Sequence, residues 1–257
     1  MAKTPNAETR PEFRGNNRPF VHRVPDVTRW GELPGSSARS QTDGSGNLRQ
    51  VSFTREGADF DPVVAPNGQF IAFASTQHRP TADIYLKQID GQTVTQITTD
   101  PANDMTPTFS PDGRNLAFAS DRAGNWDIYI IDLEGRQAVQ ITNDPADELH
   151  PSFSPDGRQL VFCSRSIQTG SWQMVVVDVE NPARRKTIGP GLFPEFSPDG
   201  TKIVFQKPRY RGTRWFSVWT VDYADGEATR PTEIAASSNA AVINPSFSPE
   251  GDRLAFA

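Results

Sequence analysis

Short apolar runs, separated by turns rich in proline and glycine, recur along most of this chain of 257 residues. The turns are versions of one phrase, Pro-x-Phe-Ser-Pro-Asp-Gly, and each is followed by an apolar run with a phenylalanine in the same column. The phrases begin at Pro62, Pro107, Pro151, Pro194 and Pro245, and the phenylalanines are Phe73, Phe118, Phe162, Phe205 and Phe256. Such a period indicates a repeat architecture in which each unit packs on its neighbours.

The phrase itself predicts a hairpin turn. In the sequence 110–113, Ser-Pro-Asp-Gly, proline takes the second position of a type I turn and glycine the fourth. We therefore predict a strand A before each turn and a strand B after it, the latter at 71–74, 116–119 and 160–163. Strand C is predicted at 83–86, 127–131, 173–177 and 217–221, and strand D is visible at 94–98 and 139–142. Four antiparallel strands in about 43 residues match the blade of a β-propeller.

The two ends of the chain carry incomplete repeats. Residues 50–54 resemble a strand D with no blade before it, whereas 242–257 supply strands A and B with no blade after them. A closing blade shared by both termini would remove free sheet edges. Its strand C comes either from residues near 20–24 or from sequence beyond Ala257, and we favour a C-terminal truncation. The predicted domains are a flexible Pro/Gly-rich tail or linker at 1–46 and a propeller at 47–257, with five or six blades in the full protein.

The phrase Ser-Pro-Asp-Gly, the run 116–122 and the triplet 127–129 resemble the TolB-like propeller repeat, also called PD40 or WD40-like. The resemblance implies a propeller, usually of six blades, and a protein that works in the periplasm or at the cell envelope. Family members include periplasmic scaffold proteins, and related propellers cap peptidases of the prolyl oligopeptidase type. Neither the small α/β domain that precedes the propeller in TolB nor a peptidase domain has a counterpart here.

Composition removes several classes of function. The net charge of −5 disfavours a nucleic-acid partner, because such domains neutralise phosphates with an excess of basic residues. A single cysteine, Cys163, excludes an intrachain disulfide, and its column predicts a small buried core position. No run is long and apolar enough for a membrane span. Motifs of hydrolases, zinc peptidases, nucleotide-binding loops and dinucleotide folds are missing from the sequence, so a non-enzymatic role is favoured.

Strand direction assigns each loop to a face. The A-to-B and C-to-D turns share one face, and the B-to-C loops and D-to-A connections share the other, which we call the loop face. The turn face is monotonous, whereas the loop face varies between repeats, as a binding surface on a repeat scaffold should. The candidate binding residues are Asp59, Asp61, Asp104, Asp147, Glu148, His150, Arg122, Trp126, Trp172, Arg209, Arg211, Arg214 and Trp215.

Each group of candidates has two interpretations. The acids are either solvated turn and cap positions or a rim that binds a partner or a cation, although no regular calcium-loop spacing is present. Trp126 and Trp172 either pack between blades or form an aromatic platform for sugar or peptide. The basic loop 207–215 is either solvated or an anion clamp. His150 is interpreted as mainly structural. No cofactor and no metal are predicted.

We therefore predict an extracytoplasmic scaffold that presents a face to a protein or peptide. Two alternatives stay open. One is a carbohydrate-binding or carbohydrate-active propeller that uses channel carboxylates and the tryptophans, for which a suitably spaced pair of acids would be needed. The other is an accessory propeller of a peptidase system. Fold alone does not decide between them, because one scaffold hosts many functions.

Overall fold

The computed structural model describes residues 31–32, 51–52, 56–208, 216–237 and 241–257, and the regular secondary structure in this part of the chain consists of β-strands. In chain order its strands are β1 (Gly31–Glu32), β2 (Asp59–Val64), β3 (Phe70–Ser75), β4 (Asp83–Gln88), β5 (Val94–Gln96), β6 (Asp104–Phe109), β7 (Asn115–Ser120), β8 (Asp127–Asp132), β9 (Ala138–Gln140), β10 (Glu148–Phe153), β11 (Gln159–Arg165), β12 (Trp172–Asp178), β13 (Arg185–Pro190), β14 (Leu192–Phe196), β15 (Lys202–Pro208), β16 (Phe216–Ala224), β17 (Glu227–Ala235), β18 (Ser246–Phe247) and β19 (Arg253–Ala255).

These strands form the predicted β-propeller. Four antiparallel sheets, β2–β5, β6–β9, β10–β13 and β14–β17, each keep the order A-B-C-D, and we number these blades 1 to 4. The A strands of neighbouring blades contact one another, so they form the inner wall of the ring. The D strands of blades 3 and 4, β13 and β17, were not visible in the sequence pattern.

A fifth, closing blade combines both ends of the described chain. Strand β19 pairs with β18 on one side and with β1 on the other, so Gly31–Glu32 takes the position of strand C. The segment 20–24, one predicted source of this strand, lies outside the described residues. Of the predicted strand D at 50–54, only Val51 and Ser52 are described, and neither is in a strand. The boundary between tail and propeller stays a prediction.

The A-to-B turns follow the predicted chemistry and also join the blades. In the second blade the Gly113 N–H donates to the Ser110 carbonyl at 2.8 Å, and equivalent bonds close the other four turns. Gly113, Gly157, Gly200 and Gly251 have φ between 72° and 74°, so a residue without Cβ suits them. A Cβ at these four glycines would lie 3.3 to 3.9 Å from Cδ of the turn proline in the preceding blade. Successive turns therefore interlock, proline on glycine, along the turn face.

The hydrophobic core lies between the blades. Phe118 and Phe162, in the repeated phenylalanine column, are fully buried in the clusters that join blade 1 to blade 2 and blade 2 to blade 3. A polar network recurs beside them. Asp127, fully buried at the start of a C strand, accepts a hydrogen bond from Gln140 at 3.2 Å, and Asp83 accepts the equivalent bond from Gln96. Repetition of this network at two junctions marks it as part of the scaffold.

Candidate functional site

A ring of backbone irregularities lines the inner wall at the loop face. The residue directly before the proline of each repeat phrase has a left-handed φ of 50° to 57°. These five residues are Asp61, Thr106, His150, Phe193 and Asn244. In blades 1 to 4 the pairing of strand A with strand B shifts register at the same place, as a β-bulge does.

This conformation is costly at these positions. A left-handed φ is unusual for any residue other than glycine, and for Thr106, which is β-branched, and Phe193, which is bulky, it is an outlier. A residue before proline is also normally extended. Strain of this kind is found where structure serves function, because the fold must hold such residues in place. The conformation itself recurs in every repeat and so belongs to the scaffold, but the five side chains it presents differ. Of these, only Asp61 and His150 were predicted from the sequence as candidate binding residues.

His150 and Phe193 make the ring aromatic on one side. Their rings stack with centroids 3.8 Å apart and an interplanar angle of 29°. Burial lowers the pKa of His150 to about 4, so the imidazole is neutral at neutral pH. On another side of the ring, the Asp61 carboxylate accepts the Thr106 N–H at 3.3 Å, which joins blade 1 to blade 2.

Two residues beyond Phe193 on the same strand, Glu195 joins blade 4 to the closing blade. Its Oε1 accepts the Phe247 N–H at 2.9 Å and lies 3.3 Å from the Ser246 hydroxyl. Burial raises the pKa of Glu195 to about 7, while these two hydrogen bonds act in the opposite direction. The sequence analysis missed Glu195, whose position in the repeat phrase is held elsewhere by small or uncharged residues.

Two of the predicted site residues, the acid Asp104 and the base Arg122, are brought together as an ion pair in blade 2. The Arg122 Nη2 lies 3.0 Å from both carboxylate oxygens of Asp104, a side chain with no exposed surface. The guanidinium also lies over the Tyr129 ring, 4.7 Å from its centroid. For Asp104 and Arg122 the structure therefore supports a scaffold role rather than a solvated rim.

Glu148 begins strand A of blade 3, where Asp104 begins strand A of blade 2, but it has no comparable partner. Its side chain is 1% exposed, and its Oε2 has no hydrogen-bond partner among the described residues. The Arg185 Nη1 lies 3.8 Å from Glu148 Oε1 and 2.5 Å from Asp144 Oδ2. Burial raises the pKa of Glu148 to about 8. A buried carboxyl in this state is a candidate for a functional group.

Four of the remaining predicted residues are spread over the loop face. Asp147 accepts the Trp126 N–H at 3.4 Å, and Trp126 itself packs against the core between blades 2 and 3, which favours its packing interpretation. Trp172 and Asp59 are half-buried at the starts of β12 and β2. The other predicted residues, Arg209, Arg211, Arg214 and Trp215, lie outside the described residues.

Cys163 is fully buried, as its column predicted, and burial raises the pKa of its thiol to about 12, so the residue is chemically inert. Within the described ranges, no group of three or more His, Cys, Asp or Glu side chains is placed to hold a metal ion. The same part of the chain contains no helix that could cross a membrane.

The B-to-C loops differ between blades in how they are held. In blade 1 the Arg79 guanidinium donates to the Thr99 and Asp100 carbonyls, and in blade 2 the Asn125 amide donates to two carbonyls of the following connection. The loop of blade 3 is held by its own bonds, including Gly170 N–H to Ser166 carbonyl at 2.7 Å. It presents Ile167, which is 70% exposed. An exposed isoleucine on a preorganised turn is a suitable contact for a partner.

Comparison with known proteins identifies the family. A profile of the TolB beta propeller domain, PD40, matches residues 43–227. The chain belongs to this family. A TolB homologue from Chlorobium luteolum is 37% identical over 78 residues, which are 30% of this chain and 17% of that protein. The crystal structure of TolB from Acinetobacter baumannii is 28% identical, with a TM-score of 0.64, and the match covers 77% of this chain and 48% of that one.

This PD40 propeller thus spans about half the length of the TolB structure it matches. The same fold occurs in enzymes. An oligogalacturonate lyase from Vibrio parahaemolyticus is 16% identical, with a TM-score of 0.59, and the match covers 80% of this chain and 61% of that one. A likeness at that level of identity shows the fold alone.

Proposed function

We propose that this propeller is a non-enzymatic binding protein of the periplasm or cell envelope that takes a protein or peptide partner on its loop face, over the mouth of the channel. The observation that carries the proposal is the ring of five left-handed residues. Each repeat supplies the same strained backbone at the channel mouth, yet the five side chains differ in chemistry: Asp61, Thr106, His150, Phe193 and Asn244.

The contrast between the two faces supports the same surface. The turn face repeats one turn with one hydrogen bond and one proline contact in successive blades. The turns are alike because each makes the same contact with the turn of the neighbouring blade. The loop face differs from blade to blade in charge and in the hydrogen bonds that hold its B-to-C loops, and in blade 3 it exposes Ile167. Variation on a constant scaffold is how repeat proteins build specific binding surfaces.

The carbohydrate alternative has less support. Trp126, one of the two tryptophans proposed as a platform, packs into the core between blades 2 and 3. Asp104, one of the candidate carboxylates, is neutralised by Arg122. Membership of the TolB family also favours a binding role over chemistry.

The proposal is tested by affinity capture from native envelope extract, with the partners measured by quantitative mass spectrometry. His150→Ala and Phe193→Ala remove the stacked pair at the channel mouth and should each reduce capture of the specific partners at least about tenfold, the loss expected at an interface hot spot. Arg158→Ala changes an exposed residue of the turn face and is the matched control. Circular dichroism and thermal melting would establish that the variants are folded.

Capture of the same proteins in the same amounts by wild type and by both channel-mouth variants would show that the wrong surface has been chosen. A panel of oligosaccharides in a thermal-shift assay addresses the alternative, since a ligand that binds only the native state raises the apparent melting temperature.

A further inference from the structure

Three carboxyl groups lie together at the loop-face end of the junction between blades 2 and 3. Asp127 and Glu148 are buried, with 0% and 1% of their surface exposed, and the side chain of Asp144 is 21% exposed. Among the described residues, Arg185 is the cation that pairs with this group, at 2.5 Å from Asp144 and 3.8 Å from Glu148. The negative charge at this junction therefore exceeds the positive charge that the described chain provides.

Glu148 has the least satisfied carboxyl of the three. Its buried Oε2 has no hydrogen-bond partner in the described structure. The nearby Thr142 hydroxyl accepts the Ile128 N–H at 2.8 Å and lies 3.5 Å from Asp127 Oδ1. Since a hydroxyl has one proton, Thr142 cannot donate to Asp127 and Glu148 at once. A buried carboxyl without a full set of partners is costly, and its retention needs an explanation.

The preceding junction shows what is missing. There Asp104, in the position of Glu148, is paired with Arg122, whose guanidinium lies over Tyr129. Strand registers place Ser166 of blade 3 where blade 2 has Arg122, because Asp104 pairs with Ser120 and Glu148 with Ser164. In the same way Val175 takes the place of Tyr129. Blade 3 has therefore kept the carboxyl and lost the guanidinium that neutralises it.

We infer that Glu148, with Asp144 and Asp127 beside it, is a receptor site for a cationic side chain, an arginine guanidinium or a lysine ammonium, supplied by the partner. The inference rests on the proposed function, because Glu148 lies on the loop face. Carboxylates bind such groups through charge-assisted hydrogen bonds. An organic cation fits better than a metal ion, since none of the described side-chain groups is placed to hold a metal.

An approach to the site exists. The Arg185 side chain reaches Asp144 from the outer strand β13 and is 42% exposed, so this side chain lies between solvent and the carboxyl group of Asp144. A guest cation that followed this path would join Arg185 or replace it beside Asp144. Glu148 then gains the partner that Asp104 has in the preceding blade.

Binding of a cation should be coupled to proton release. The charged and titratable groups that face Glu148 are Asp127 on β8, Asp144 on the connection, Arg185 on β13 and the neutral Cys163 thiol on β11. Burial raises the pKa of Glu148 to about 8, so its carboxyl carries a proton at pH 7. A cation that pairs with it must displace this proton. Below the pKa of Glu148, the affinity for the cation should therefore increase by about tenfold for each unit by which the pH is raised.

The test is isothermal titration calorimetry of the full chain with N-acetyl-arginine amide at pH 6, 7 and 8. Two buffers of different ionisation enthalpy would be used at each pH, because the difference between them counts the protons released. We expect wild type to bind with release of about one proton at pH 7. Glu148→Gln should weaken binding at least about tenfold and remove the proton release, because the amide cannot ionise. Gln matches the size and neutrality of protonated Glu148, so the variant should fold.

Glu134→Gln makes the same change on the turn face and should bind like wild type. Failure of wild type to bind, equal affinity of Glu148→Gln, or binding without proton release would each overturn the inference. Because the probe is a small molecule, such a result leaves the capture experiment unaffected. Conversely, probe binding without partner capture would refute the proposed function and not the cation site.

Discussion

Blades 2 and 3 occupy neighbouring and equivalent places in the ring, yet they treat the carboxylate at the head of strand A in opposite ways. Asp104 has a guanidinium on both of its oxygens, whereas Glu148 has an oxygen with no hydrogen-bond partner among the described residues. The strands around the two carboxyls share the same registers and the same buried phenylalanine column. The difference therefore comes from side chains on a constant backbone, and it is confined to the loop face.

A second difference between the two blades points the same way. The B-to-C loop of blade 2 is tied to the next connection by Asn125, whereas that of blade 3 is held by bonds within itself and exposes Ile167. Blade 2 uses its polar groups to close its own structure. Blade 3 leaves the buried Glu148 carboxyl without a full set of partners and the Ile167 side chain exposed.

The largest effect is expected from breaking the pair in blade 2. Arg122→Ala leaves the Asp104 carboxylate buried without a cation and should lower the free energy of unfolding by about 4 kcal/mol. Urea denaturation followed by circular dichroism measures this value. Arg114→Ala, at an exposed turn position, should change it by less than about 0.5 kcal/mol. Equal losses in the two variants would mean that the buried pair is not a special feature of blade 2.

The opposite result is expected in blade 3. The folded-state pKa of Glu148 is raised from 4.5 to about 8, so the native state keeps a proton that the unfolded chain releases. Wild type should therefore lose stability relative to Glu148→Gln as pH rises from 4.5 to 8. At pH 7 the variant should already be more stable by about 3 kcal/mol, and at pH 4.5 the two should be nearly equal. Urea denaturation at both pH values provides the measurement.

An unchanged difference between wild type and Glu148→Gln at the two pH values would show that the carboxyl is solvated or paired. In that case the contrast between the blades would be much weaker than the structure indicates.

The junction between blade 4 and the closing blade extends the comparison to a carboxyl that has partners. Burial raises the pKa of Glu195 from 4.5 to about 7, against two hydrogen bonds. Its stability effect should be smaller than that of Glu148 and complete at a lower pH. Glu195→Gln keeps an acceptor for the Phe247 N–H, and its free energy of unfolding should exceed that of wild type by about 2 kcal/mol at pH 6 and match it at pH 4.5. Thermal melting across this pH range would reveal a reversed order if the hydrogen bonds outweighed burial.

The smallest effects are expected on the turn face, where blades 2 and 3 are alike. Gly113 and Gly157 both have φ of 72°, and a Cβ at each would meet only a proline of the preceding blade, at 3.9 and 3.5 Å. Alanine at either position should lower the free energy of unfolding by about 1 kcal/mol, mainly because a residue with a Cβ is strained in the left-handed conformation. Chemical denaturation of the two variants should give values within about 0.5 kcal/mol of each other. Clearly unequal losses of stability in the two variants would show that blades 2 and 3 differ on the turn face as well as on the loop face.

The fold could be predicted from the sequence because its signals are local. Proline and glycine set the turn at 110–113 within four residues, and the buried phenylalanines repeat at nearly constant spacing. The D strands of blades 3 and 4 were missed for a physical reason. They are outer strands with largely exposed residues, such as Arg185–Pro190, and they lack the buried Ile-Thr pair, at 97–98 and 141–142, that ends the predicted D strands of blades 1 and 2.

The site was predicted only in part because its side chains are distant in sequence and become neighbours only in the folded structure. Asp104 and Arg122 are 18 residues apart and come together only when the A–B hairpin forms. Arg185 reaches Asp144 from another strand of the next blade, a contact that no spacing reveals. The left-handed residues could not be predicted either, because a residue before a proline is normally extended. Phe193, which precedes Pro194, has a left-handed φ instead.

The proline-on-glycine contact of the A-to-B turns has a consequence for how such rings arise. The turns of blades 2, 3 and 4 carry both halves of the contact, as Pro111 packs toward the glycine of the following blade and Gly113 receives the proline of the preceding one. A blade copied by tandem duplication therefore meets both of its new neighbours with surfaces that already match. Rings with different numbers of blades can evolve in this way without a new border between units, while each loop remains free to acquire its own chemistry.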